Sequence, residues 1–298
     1  AWQSLLARHA ALRTGFVWKD QEEPLQFVVK ALELPLFQRD LRGLSSEQQR
    51  AEIDRYLEEL HRTGFNMAKP PLLQIALFQL QDETYRFVWA MHHILVDGWC
   101  NPIVLQDLMA FYQAQCTAIP AQLPPPPAYQ DYIRWLKQQN VDDAQQFWRN
   151  YLQGFHQPTL LGSPSEVNRG VDDECLLQAP FAEITGFLPA ETTAQLRTLA
   201  QQHHITLNTL VQATWAMLLS QYSGSTDVLF GATVSGRPTA VKQVESMVGL
   251  FINTLPIRTQ VEPTASVIDW LQRLQRSVAT QESYAFCSAG QIHSWSEV

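Results

Sequence analysis

Cysteine, positive charge and long apolar runs are all in short supply in this chain of 298 residues. Each shortage excludes something. The four cysteines (Cys100, Cys116, Cys175 and Cys287) are scattered without a CxxC pair. That argues against a zinc site and against a disulfide framework, and it suits a reducing compartment. Lys and Arg number 21 against 29 Asp and Glu, a formal net charge of −8, and no basic run stands out. Nucleic acid is therefore not an expected partner. No apolar run reaches the ~18 residues that a membrane span needs, and no signal peptide opens the chain, so the expected location is the cytoplasm, away from the membrane. What is present is a composition 46% hydrophobic, enough for one large domain or two medium ones with a sizeable core.

The pattern along the chain alternates. AWQSLLARHAALRTGF spaces Trp2, Leu5, Leu6, Ala10 and Leu12 close to the helical period. LQFVVKAL reads as a strand, and SSEQQRAEIDRYLEELHRTGF as a helix with Ser46 as its N-cap. LLQIALFQL and YRFVWAMHH read as strands joined by the polar residues 81–84. PIVLQDLMAFYQAQC predicts an amphipathic helix, and the prolines at 124–127 a stiff connector in preference to a polyproline docking site. Residues 129–152 supply one or two more helices. From Gly154 to Cys175 the chain is polar and rich in Gly, Pro and Ser, which predicts a domain boundary.

Beyond it AEITGFLP (182–189) predicts a strand and AETTAQLRTLAQQHH a helix. TLNTLVQATWAMLLSQYSG predicts a largely buried helix stopped by Gly224, and DVLFGATVSGRP a strand entering a turn. VGLFINTLPIRTQV reads as extended, and SVIDWLQRLQRSVATQESYAF as the final helix. The expected architecture is α/β in two lobes, residues 1–155 and 178–298, with a linker over 156–177.

The stretch AMHHILVDGWC (90–100) asks for an explanation, because two imidazoles, a carboxylate and a glycine close what reads as a buried strand. His93 and Asp97 lie four apart and would share a helix face as metal ligands. The preceding residues read as strand, however, Gly98 opposes helix, and a third ligand at useful spacing is missing. Histidines that merely cap a strand are the plain alternative. The third reading is catalysis, with one imidazole projecting into a cleft and Asp97 orienting it. Spacing alone leaves the three open.

RHAALRTGF (8–16), MHHILVDGW (91–99), YQDYIRWL (129–136), VLFGATVSGRP (228–238) and VGLFINTLP (248–256) occur in that order. Together they resemble the core motifs of the condensation domains of nonribosomal peptide synthetases, and QIHSWSEV resembles the start of a further one. The resemblance runs nearly end to end. The family's first motif would precede residue 1 and other elements would follow Val298, so a fragment truncated at both ends is expected. The resemblance implies two chloramphenicol-acetyltransferase-like lobes forming a V with a central tunnel. Upstream donor and downstream acceptor carrier domains would bring substrates on phosphopantetheine arms, beside an adenylation domain in the same megasynthase. No cofactor bound by the domain itself is implied.

Carried over by position, His93 faces the tunnel and is catalytic, His92 supports the turn, and Gly98 gives backbone access near the reacting carbonyl. Asp97 points away and pairs with an arginine, for which Arg8, Arg237 and Arg13 are the candidates. Trp99 and Ser235 are candidate tunnel residues, although Trp99 and Trp215 also read as core aromatics and Ser235 as part of a plain turn. Cys100 has no basic neighbour to activate it and reads as a packed thiol. His203 and His204 read as a solvated helix connection. The motif variants look like the subtype that joins an L-donor to an L-acceptor. Epimerisation or ester formation on the same fold, and a non-catalytic carrier-docking module, are the competing functions.

Overall fold

The structure, a computed structural model, describes residues 1–161 and 184–298. It is α/β, and the described residues fall into two compact units. The first comprises Ala1–Gln138 and Arg237–Ile252; the second comprises the described residues of Gln139–Gly236 and of Asn253–Val298. These units do not coincide with lobes at 1–155 and 178–298. Trp148 and Leu152 pack with Leu255, Cys287 and Ile292, which draws residues 141–152 into the second unit. Val248 joins the core around Leu5, Leu73 and Val104, while Val244, Met247 and Phe251 surround Tyr132, which ties 237–252 to the first. Residues 162–177 of the expected linker lie outside the described residues.

In the first unit, α1 (Trp2–Arg8) leads through a 3₁₀ turn (Ala10–Arg13) into β1 (Thr14–Val17), which pairs antiparallel with β2 (Leu25–Val28). β3 (Leu36–Asp40) runs parallel to β4 (Leu73–Gln81), and β4 runs antiparallel to β5 (Thr84–Met91), with Leu73 opposite Met91. β3 had no counterpart in the sequence reading, since Leu36–Asp40 shows no clean alternation and every one of its residues is exposed. Helix α2 (Ser46–Thr63) is capped by Ser45, one residue before the expected cap, because Ser45 and Gln48 close a reciprocal capping box. Helix α3 (Cys100–Thr117) buries Cys100, Val104, Asp107 and Leu108 on one face, and α4 (Tyr129–Leu136) buries Tyr132.

The second unit begins with α5 (Val141–Leu152), capped by Asn140. It continues with α6 (Ala190–Gln202), α7 (Leu207–Ser223), and the antiparallel pair β6 (Asp227–Val234) and β7 (Asn253–Gln260). α8 (Val267–Glu282) packs Trp270, Leu271 and Leu274 against Ala213, Ala216, Val228 and Ile257. Three expectations are corrected here. The strand over 182–189 is not formed by its described part, where Ile184 and Phe187 stand almost fully exposed. α7 is buried on one side only: Ala213, Ala216 and Leu219 face the core, whereas Val211, Met217 and Tyr222 are exposed. Its buried side includes Thr209 and Gln212 while apolar residues stand exposed, so hydrophobic period alone could not say which face packs. α8 is not the last helix, because Ser288 and Gln291 close a second capping box and start α9 (Ala289–Trp295).

Candidate active site

The HHILVDG stretch leaves the sheet as β5 ends. His92 extends the pairing by one bond, its N–H donating to Leu72 O at 2.9 Å, and its own carbonyl accepts from Leu95 N–H at 3.1 Å. The Ile94 N–H donates to His92 Nδ1 at 3.1 Å, and the ring meets Phe65 edge-on. His92 is thus spent on shaping the turn. Leu95 and Val96 plunge into the core, which holds the loop down and leaves His93 exposed. Asp97 then starts the helical turn: Cys100 N–H donates to Asp97 O and Asn101 N–H to Gly98 O as α3 begins.

Asp97 is 1% exposed, and burying a lone carboxylate is costly unless it is paired. Its Oδ1 lies 3.3 Å from Arg237 Nη2, and its Oδ2 accepts from Phe251 N–H at 3.0 Å. The Cys100 thiol sits within 3.3 Å of the same Oδ1. Arg237 donates to the Val244 carbonyl and, at 3.1 Å, to the Met247 carbonyl. Its guanidinium lies 3.9 Å from the Phe251 ring centroid and 5.7 Å from that of Trp99. The Trp99 indole N–H donates to Glu245 O at 3.0 Å, while about half of that side chain stays exposed.

Among the three candidate arginines, Arg237 is the partner of Asp97. Arg8 instead meets Asp107 at 2.7 Å and the Pro124 carbonyl at 2.6 Å. Arg13 spans the Leu6 and Val29 carbonyls, tying α1 to the residue that follows β2. Sequence reasoning missed His9 and Asp107: His9 Nε2 lies 2.8 Å from the same Asp107 oxygen that Arg8 holds. Burial is the main cause that pushes the His9 imidazole below its ordinary pKa, although the Asp107 hydrogen bond works the other way. The juxtaposition Arg8–His9 was visible in the sequence, but its carboxylate partner lies 98 positions further on.

His93 is exposed and Asp97 buried, so the two do not present a shared pair of metal ligands. Among the described residues no three His, Cys, Asp or Glu side chains converge. Cys100 does have a basic neighbour, Arg237 Nη2 at 3.2 Å from its Sγ, but it is fully buried, and burial raises its pKa, the opposite of what a nucleophile needs. Gly98 has an exposed backbone, and a Cβ built there meets nothing within 4 Å. Ser235 is exposed and belongs to the second unit; Trp99 and Trp215 are exposed by 51% and 41%, so neither is the core aromatic expected. Among the described residues, no helix is long and apolar enough to cross a membrane.

An exposed imidazole and an exposed glycine thus share a loop braced by a buried ion pair. The family model described as "Condensation domain" matches residues 1–297, and the chain belongs to that family. Linear gramicidin synthase subunits D and B of Brevibacillus parabrevis are 43% identical over 298 residues and 44% identical over 299 residues. Each alignment takes in all of this chain but 6% of the relative's length. Among solved structures, the cyclization-docking bidomain of the EpoB synthetase from Sorangium cellulosum superposes with a TM-score of 0.78 at 18% identity, over 96% of this chain and 55% of that one. The first condensation domain of the calcium-dependent antibiotic synthetase gives 0.73, also at 18% identity, over 97% of this chain and 65% of that one. At such identity the structural likeness speaks for the fold.

Proposed function

We propose that this chain joins two carrier-tethered substrates, an upstream aminoacyl or peptidyl thioester as donor and a downstream aminoacyl amine as acceptor. The observation that carries the reading is the pairing of an exposed His93 and Gly98 with a loop pinned from beneath by Asp97 and Arg237. Both substrates would arrive on phosphopantetheine arms of neighbouring carrier domains, with an adenylation domain selecting the acceptor residue. The setting would be a cytoplasmic megasynthase.

The amine nitrogen attacks the thioester carbonyl carbon, giving a tetrahedral oxyanion beside an ammonium. The C–S bond then breaks, the thiolate leaves on the donor arm and takes up a proton, and the amide remains on the acceptor arm. A free α-amino group has a pKa of about 7.7–8.0, so a fair fraction of the nucleophile is already neutral near neutral pH. His93 therefore acts where the ammonium forms, accepting or holding that proton, a contribution of ~10²–10⁴-fold. Gly98 lets the substrate backbone come close, since no side chain occupies that space. The exposed face of Trp99 flanks the same approach.

The test is to incubate the protein with a loaded donor carrier and a loaded acceptor carrier, and to read thioester products by mass spectrometry. An amide one residue longer on the acceptor carrier is expected. Loading both epimers of the donor residue tests the subtype: the L-donor should couple faster by at least ~10², because a 1 Å misplacement of the thioester is enough for that. A D-preference would overturn the subtype, and an epimerised donor with no amide would overturn the reaction.

A further inference from the structure

A recess of about 90 Å³ opens in the first unit beside the loop that carries His93. Ile94 and Leu95, the two residues after that histidine, form one wall; Thr14 and Phe16 of β1 form another; Tyr129 and Leu250 close the third. The recess opens to solvent, so a group from outside the protein can enter it. At ~30 Å³ for a water-sized group it has room for about three heavy atoms.

The chemistry of the wall narrows the occupant. None of the residues lining the recess carries a charge, and Gln26 adds a neutral amide to the lining. Its hydroxyls already donate elsewhere, Thr14 Oγ1 to Ala10 O at 3.1 Å and Tyr129 Oη to the Leu250 carbonyl. A charged group entering would lose its water and find no counter-ion. The Tyr129 wall is fixed as well as present: Gly249 leaves the space its ring fills, and Phe251, whose N–H holds Asp97, packs edge-on against it at 5.2 Å. The recess and the Asp97 brace therefore share one rigid support.

We propose that this recess receives the small uncharged side chain of one of the two aminoacyl groups that react beside His93, and so limits its size. This deepens the peptide-forming reading and rests on it. Ala11 lines the recess from the 3₁₀ turn, and enlarging it fills the space; trimming Phe16 widens it.

The experiment compares wild type, Ala11→Leu and Phe16→Leu with alanyl, valyl, leucyl and phenylalanyl thioesters. One arm varies the donor against a fixed acceptor, the other the acceptor against a fixed donor. In one arm alone, Ala11→Leu should lower kcat/KM for valyl and leucyl at least ~10-fold relative to alanyl, since one methylene in a snug uncharged pocket is worth ~10–200-fold. Phe16→Leu should shift the preference towards the larger groups. In parallel, methyl signals of Ile94, Leu95 and Leu250 are followed as aminoacyl pantetheine thioesters are titrated in. Side-chain-dependent methyl shifts without product would uphold the recess and remove the peptide-forming reading. Product formation with losses uniform across all side chains in both arms, and unmoved methyls, would overturn the recess instead. Melting curves identify a variant that fails to fold, in which case the other variant and the wild-type titration decide.

Discussion

Arg237 and Asp97, 140 positions apart in sequence, meet at 3.3 Å with their side chains 4% and 0% exposed. The pair closes the segment 237–252 over the first turn of α3. Removing one partner leaves the other as an uncompensated buried charge, at a cost of about 3–5 kcal/mol. Asp97→Ala is expected to lower the Tm by roughly 6–20 °C at ~2–4 °C per kcal/mol. Arg237→Ala should cost a similar amount and the double variant less than the sum, since the two share one interaction. Thermal unfolding of the three variants checks this; additive losses would mean the pair is not coupled.

His93 makes none of the loop's bracing contacts, so its loss should fall on chemistry. His93→Ala is expected to reduce single-turnover coupling by at least ~10²-fold with the melting curve unchanged. His92→Ala removes the acceptor of the Ile94 N–H, so it should loosen the turn and show a smaller direct chemical effect. Near-normal turnover in a folded His93→Ala variant would take the imidazole out of the mechanism.

Two glycines separate function from packing. A Cβ on Gly98 enters open space, whereas one on Gly249 is driven into the Tyr129 ring. Gly98→Ala should keep its Tm and lose coupling activity if substrate passes there. Gly249→Ala should lose about 1–3 kcal/mol of stability from overpacking. Chemical denaturation beside the coupling assay distinguishes them, and a Gly98→Ala variant of full activity would remove that glycine from the proposed approach.

His9 predicts an acid limb. Its folded pKa lies below the ordinary value near 6.5, chiefly through burial, so the folded state resists the protonation that the unfolded chain accepts. Stability should therefore decline as pH falls below about 6.5, and level off once pH passes the lower folded value. His9→Gln should flatten that part of the profile relative to wild type. Melting temperatures between pH 8 and 5 give the comparison; parallel profiles would assign the acid sensitivity elsewhere.

The amino-acid sequence alone determined the family and the α/β alternation, and singled out the HHILVDG loop as the candidate site, because these rest on local signals. The run of strand residues before His92, the glycine at 98 and the ordered motifs are all readable within a few positions. The capping boxes are local signals as well, since Ser45 with Gln48 and Ser288 with Gln291 stand three apart, although the sequence reading placed the first cap at Ser46 and expected no helix after Ser288. What only the tertiary structure decided are relations between distant positions. The choice of Arg237 over Arg8 and Arg13 for Asp97 depended on which carbonyls and carboxylates each guanidinium reached after folding. The buried side of α7 depended on the small residues Ala213 and Ala216 meeting a neighbour, which no hydrophobic period announces in a helix whose buried face also holds Thr209 and Gln212. The membership of 237–252 in the first unit likewise followed from Val248 and Phe251 finding their cores across more than a hundred residues. Local patterns specify elements; partners for a buried charge or an apolar face exist only once the chain has packed.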